Sequence, residues 1–437
     1  MKRVWLGSCL LVGAALVGVS CTGDPGAKGD PGVQGAPGPQ GPEGEPGPAG
    51  PQGPTGEISD AGANSPACTL ACHTMGGVVD QWRWSHHSHP QENEVGTGAC
   101  GNCHGIDGIA QRVANNYVVA ADAGPANNVA QGHISYRAAN GVAVNEIGYG
   151  GATTIGAIHC TTCHDFNPTT DPHVVGSYAP GQAPIRVSLE TNAYIEASPA
   201  GAVQPEGTAV SMGRGNLCVY CHKSRKDVTH YITAANNVIT SRWGPHQGPQ
   251  ADIYSGKGGY HFVGQVYGNS THQTLSDGCV TCHMQPNADN GGVPDHSMKP
   301  KLDRCVSAPC HTQYQGKTFD ILSGQSTVKR ALAELQALLN AEGMLTRSSG
   351  APYAELQPEE LGDGQYHLDS PRQGGAPGGG NHSLNAARAG ALYNYLVIAR
   401  GRDYGVHNPL YVKQLLWDSI REIKGSASTV LGSVRPQ

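Results

Sequence analysis

Twelve of the fourteen cysteines in this chain stand in six pairs, and in every pair the second cysteine is followed at once by a histidine. Four pairs enclose two residues: Cys100-Gly-Asn-Cys103-His104, Cys160-Thr-Thr-Cys163-His164, Cys218-Val-Tyr-Cys221-His222 and Cys279-Val-Thr-Cys282-His283. Two are longer, with three residues in Cys68-Thr-Leu-Ala-Cys72-His73 and four in Cys305-Val-Ser-Ala-Pro-Cys310-His311. A C-x-x-C-H run is the attachment site of a c-type haem. The two thiols add across the vinyl groups of the porphyrin, and the adjacent histidine is brought under the ring to ligate iron. The Cys-His adjacency, which sets that ligand, is kept in both longer motifs, so six covalently attached haem c groups are expected. A disulfide framework or a structural zinc site could use the same cysteines. Either would leave a histidine after every second cysteine without a reason.

Such a chain has little need of a large aliphatic core. Only 38% of its residues are hydrophobic and three are phenylalanine, whereas 62 glycines and 30 prolines make up 92 of the 437 residues. The flat apolar faces of the haems would replace side-chain packing. The fold class expected is mainly irregular backbone with α-helices and few strands, a multihaem cytochrome c architecture organised around a haem array, carried on an N-terminal collagen-like stalk. A net charge of -6 offers no basic patch for nucleic acid.

The remaining cysteines, Cys9 and Cys21, lie near the start of the chain. Lys2 and Arg3 precede an apolar run from Val4 to Val19, the pattern of a secretory signal over 1–20 and shorter than a membrane span requires. Val17-Gly-Val-Ser20-Cys21 resembles a lipoprotein processing site, although Gly18 replaces the usual aliphatic residue. Lipidation of Cys21 would anchor the exported protein to a membrane. An ordinary signal cleavage is the alternative. From Gly23 to Ile58 glycine returns at every third position through twelve unbroken triplets. Only glycine fits the axis of a collagen triple helix, so this run is read as a collagen-like stalk and a route to a homotrimer. As a single chain it would be an extended spacer. The expected organisation is therefore a signal over 1–20, the anchor cysteine and stalk over 21–58, and a linker over 59–67. A hexahaem region over 68–320 and a helical part over 321–437 follow.

The proximal iron ligands expected are His73, His104, His164, His222, His283 and His311. A haem that only passes electrons needs a sixth ligand, and fourteen of the twenty histidines remain. His407 is restrained by Gly405 before it and by Asn408-Pro409 after it, where Asn408 suits an N-cap and Pro409 the first helical position. His246 sits in a loop bounded by Pro245 and Pro249. His272 and His296 bracket the fifth motif. His159 abuts Cys160 and is placed to reach a neighbouring haem. The cluster His86, His87, His89 is expected to give one ligand, with His89 as its candidate.

Beyond the last motif, Val328, Leu332, Leu335 and Leu339 recur with helical spacing and Gly343 provides a stop, which predicts a helix over 325–342. A second helix is expected over 384–400, with Ala391, Tyr395 and Ile398 on one face. A third starts at Pro409, carries Val412, Leu416, Ile420 and Ile423, and ends at Gly425. Their antiparallel packing would cover part of the haem array.

Taken together, these motifs resemble the multihaem c-type cytochromes of bacterial respiratory and extracellular electron transfer. The segments Trp243-Gly-Pro-His246-Gln-Gly-Pro-Gln250-Ala-Asp252, the Cys279 motif and Gly405-Val-His407-Asn-Pro409 are similar to those of cytochromes distantly akin to ammonia-forming nitrite reductases. The resemblance runs from Cys68 to Lys424, and it implies distal-ligand roles for histidines placed like His246, His272, His296 and His407. It departs in one respect: those reductases carry a C-x-x-C-K haem, and no such run occurs here.

The function expected is electron relay to extracellular acceptors or partner cytochromes from an outer-membrane, cell-surface or periplasmic position, with no catalytic residue assigned. A reductase of nitrite, hydroxylamine or a sulfur oxyanion with one open iron is the alternative. A structural or adhesive role is suggested by the stalk alone.

Overall fold

The protein, a computed structural model, is described for residues 77–88, most of 158–186, most of 207–346 and 383–437, with short strands at 117–119, 134–137, 143–144, 193–196 and 370–371. The chain divides into two units, Met1–Glu57 and Ile58–Gln437, and all the described residues belong to the second. The signal, Cys21, the Gly-X-Y run, the linker, the motifs of Cys68, Cys72, His73 and of Cys100, Cys103, His104, and His89 lie outside the described residues.

Among the described residues, seven short helices come first: α1 (Val78–Arg83), α2 (Cys160–Cys163), α3 (Asn216–Val219), α4 (Val228–Tyr231), α5 (Gln250–Ser255), α6 (Cys279–His283) and α7 (Leu302–Cys305). Three long ones follow: α8 (Gly324–Ala341), α9 (Ala386–Gly401) and α10 (Pro409–Lys424). Strands are few and short. Among the described residues they form one three-stranded sheet and four two-stranded ones, all with antiparallel pairing.

The long helices follow the sequence pattern. Val328, Ala331, Leu332, Leu335 and Leu339 of α8 are all fully buried, an i, i+3, i+4, i+7 stripe facing one core. Gly343 then takes φ 70°, the left-handed backbone that closes a helix at least cost for glycine. Helix α10 begins with Pro409 in the first turn and ends at Gly425 with φ 74°. Helix α9 is buried on nearly every side from Ala389 to Ala399, because it lies in the middle of this core. Its N-cap is Asn385, whose side chain accepts from the Arg388 amide at 2.9 Å.

The core also draws on the preceding region. Tyr231, Ile239, Trp243 and Ile253 belong to the same buried cluster as the three helices. Trp243 meets Tyr393 edge-to-face, with centroids 5.9 Å apart, and Tyr231 at 5.8 Å. Such aromatic pairs add about 0.5–1.5 kcal/mol each beyond their burial. A smaller cluster of Val210, Met212, Val219, Tyr220, Ala251 and Tyr254 sits beside the cysteines of the fourth and fifth motifs. Among the described residues, no helix is long and apolar enough to cross a membrane.

A candidate multihaem site

Four of the six motifs are described, and each starts or ends on a single helical turn. In the third, α2 is capped by His159: its Nδ1 accepts from the Thr161 amide, while Thr162 Oγ1 accepts from the His159 amide at 3.0 Å. His164 N–H then donates to Cys160 O at 2.9 Å. The fourth motif repeats that closure, His222 N–H to Cys218 O, also at 2.9 Å. In the sixth, the same bond runs from His311 N–H to Cys305 O at 2.9 Å, although four residues separate its cysteines. Cys310 N–H bonds Ser307 O at 2.8 Å, so the extra residues fold into a local turn. The longer motif thus presents its histidine against its first cysteine as the regular ones do. None of the eight described motif cysteines is paired in a disulfide.

Each described motif histidine has a second histidine opposite it. Ring centroids are 6.1 Å apart for His164 and His296, 6.0 Å for His222 and His87, 6.2 Å for His283 and His407, and 5.9 Å for His311 and His272. Ordinary aromatic packing is the simpler explanation to exclude. Packed rings elsewhere in this chain scatter from 4.3 Å for His261 and Tyr267 to 6.3 Å for Phe166 and Tyr178. The four histidine pairs fall in a narrow band whatever the angle between their planes, which runs from 26° to 89°. An ion between two imidazoles fixes the distance and leaves the angle free. Two histidine–metal bonds of about 2.0–2.1 Å, plus roughly 1.1 Å from each nitrogen to its ring centre, give about 6.3 Å.

Hydrogen bonding selects which nitrogen is left. His164 Nδ1 lies 2.9 Å from Pro184 O, His296 Nδ1 2.7 Å from Pro294 O, His283 Nδ1 2.9 Å from Met298 O and His272 Nδ1 2.6 Å from Val406 O. His222 Nδ1 is 3.1 Å from Gln250 Oε1. His407 Nδ1 stands 3.0 Å from Asp403 Oδ2, a charge contact rather than an aligned hydrogen bond. A carbonyl oxygen only accepts, so Nδ1 carries the proton and Nε2 the lone pair, the tautomer a metal ligand needs. Burial also favours the neutral ring. It lowers His164, His283 and His296 from the ordinary histidine range, and together with the nearby His222, His86 and His283 it pushes His87 down to about 4.

The sites adjoin one another. The nearby Cys218 of the fourth motif is the main influence that draws Cys279 of the fifth down to about 7. Cys218 also senses Cys163 of the third, and Cys282 of the fifth senses Cys305 and Cys310 of the sixth. Among the described residues, no three or more His, Cys, Asp or Glu side chains gather as a bare ion requires. The histidines come in twos, which suits an iron whose other four positions belong to a porphyrin.

Of the histidines expected opposite an iron, His272, His296 and His407 face motif histidines. His159 is exposed and caps α2. His246 holds Gln247 O through Nδ1 at 2.7 Å and belongs to none of the four pairs. In the His86–His89 cluster, the described ring that meets a motif histidine is that of His87.

The collagen triple helix repeat family matches residues 20–68. Two curated relatives, both called C-type polyheme cytochrome OmcB and both from Geobacter sulfurreducens (strains DL-1 / KN400 and ATCC 51573 / DSM 12127 / PCA), are each 23% identical over 370 residues, covering 77% of this chain. The chain spans about half the length of these relatives, 45% in the alignment. No solved structure matches.

Proposed function

We propose that this chain is a six-haem c-type cytochrome that transfers electrons, exported and held at a membrane surface through Cys21, with its haem region raised on a trimeric collagen-like stalk. Each haem would supply a one-electron ferric/ferrous centre. Its partners would be other redox proteins or extracellular acceptors. The chain's part is attachment, ligation and exclusion of substrate from the iron.

Four histidine pairs at 5.9–6.2 Å carry this reading. In it, Cys160 and Cys163 hold a haem between His164 and His296, and Cys218 and Cys221 one between His222 and His87. Cys279 and Cys282 serve His283 and His407, and Cys305 and Cys310 serve His311 and His272. Two ring ligands per iron keep its geometry nearly fixed on oxidation and leave no open position for a substrate. Cysteines of the third and fourth, fourth and fifth, and fifth and sixth motifs influence one another, so haems held there would neighbour each other in that order. Cys68, Cys72 and His73 and Cys100, Cys103 and His104 would hold the other two.

Intact mass and electron paramagnetic resonance of the oxidised, full-length protein test it. Six haem increments with all ferric irons low-spin are expected. An integer share of high-spin iron would favour a reductase, and fewer than six increments would sink the haem count.

A further inference from the structure

The described histidine pairs differ in what holds the second ring nitrogen. His164, His283, His296 and His272 meet backbone carbonyls, and His222 meets the amide oxygen of Gln250. All five acceptors are neutral. His407 faces a carboxylate instead, with Asp403 Oδ2 3.0 Å from Nδ1. The Asp403 side chain is 2% exposed, so water does little to screen its charge. It is held in place by the Gly405 amide at 3.3 Å on Oδ1 and the His407 amide at 3.4 Å on Oδ2. The ring N–H is not aligned with Oδ2 as a directed hydrogen bond would be. The contact is therefore mainly one of charge with ring, and it acts over the whole imidazole.

We propose that Asp403 is a positioning residue that, through His407, lowers the reduction potential of the haem on Cys279 and Cys282. This rests on the axial pairing of His283 with His407 proposed above. A fixed negative charge 3.0 Å behind one ligand favours the ferric over the ferrous iron. The five rings bonded to neutral acceptors have dipoles at that nitrogen; His296 also feels the Asp295 carboxylate, whose charge is offset by Lys301 2.8 Å away. The fifth site also lies between the fourth and the sixth in the series of adjoining motifs, so its lowered potential would place an uphill step inside the relay. Electrons would then rest on either side of it rather than on it.

The test is a spectroelectrochemical titration of the full-length haem-loaded protein and of Asp403→Asn, with the spin state followed in parallel. One titration component is expected to move upward by at least tenfold in its oxidised-to-reduced ratio, about 59 mV for one electron. Asp403→Glu should return it toward the original value. A titration of Asp403→Asn that overlays the unaltered one while every haem stays low-spin overturns the proposal. A high-spin signal from the His407 haem in the unaltered protein would remove the axial pairing itself, a separate failure. If Asp403→Asn does not hold its full haem complement, Gln250→Glu decides, since it sets a carboxylate behind His222 where the amide now lies 3.1 Å away. One component should then move downward; no movement overturns the proposal.

Discussion

His272 donates its Nδ1–H to the carbonyl oxygen of Val406 at 2.6 Å, so a ring that faces the sixth motif hangs on the residue before His407, which faces the fifth. Asn408, on the other side, is fully buried. Its Nδ2 reaches Ile253 O at 3.2 Å, Tyr254 O at 3.3 Å and Asn269 Oδ1 at 2.7 Å, and its Oδ1 accepts from the Ser270 amide at 2.9 Å. The three residues Val406, His407 and Asn408 thereby fix α10, α5 and the loop bearing His272 relative to one another.

Asn408→Ala should disturb two sites at once. It leaves buried donors and acceptors unpaired at roughly 1–3 kcal/mol each, and the expected loss of stability is about 3 kcal/mol in total. Chemical denaturation measures the loss. Electron paramagnetic resonance should show two low-spin signals altered, and a change confined to one would contradict the shared anchor.

Within the cluster at 86–89, His87→Ala should open one iron, while His86→Ala should leave every haem low-spin. The ring of His87 is the one 6.0 Å from His222. A high-spin signal from the His86 variant, or none from that of His87, would reject the pairing.

The helices were legible in the sequence because their signals are local. Gly343, Pro409 and Gly425 stop or start them where the spacing of Leu332, Leu335 and Leu339 requires. The pairing of histidines was not, because it is long-range. His272 and His296 bracket the fifth motif in sequence, yet His272 faces the sixth and His296 the third. Local competition misleads as well. Asn408 is a good N-cap by composition, but the buried carbonyls of Ile253 and Tyr254 claim its side chain, and it makes no cap bond. His159 is drawn to its own helix start by the unpaired amide of Thr161. Asp403, four residues before His407, carried no signal beyond that spacing.

Gly390→Ala should destabilise the protein, against the usual gain from such a change inside a helix. A Cβ there would lie 2.0 Å from Tyr260 Cδ1. The tyrosine cannot retreat easily, since its amide donates to Asn394 Oδ1 at 2.7 Å and its carbonyl accepts from Asn394 Nδ2 at 3.0 Å. Overpacking of this kind costs about 1–3 kcal/mol. Thermal unfolding of the haem-loaded protein should show a lowered midpoint, and a raised one would mean that Tyr260 moves aside.

Glu334 of α8 makes the C-terminal segment sensitive to acid. Its carboxylate accepts from Lys424 Nζ at 2.9 Å, Ser428 Oγ at 2.7 Å and the Thr429 amide at 3.0 Å. Burial alone would raise its pKa, but these donors outweigh it and bring the group down to about 2. A carboxylate depressed in the folded state contributes stability above its unfolded pKa, and that contribution is lost as pH falls through the folded one. The unfolding midpoint should therefore decline between about pH 4.5 and about pH 2. Glu334→Gln should be less stable near neutral pH by about 1–3 kcal/mol, since hydrogen bonds to a charged group are the stronger ones. Its midpoint should fall less steeply over the acid window. Equal slopes for the two proteins would show that other groups govern the acid response.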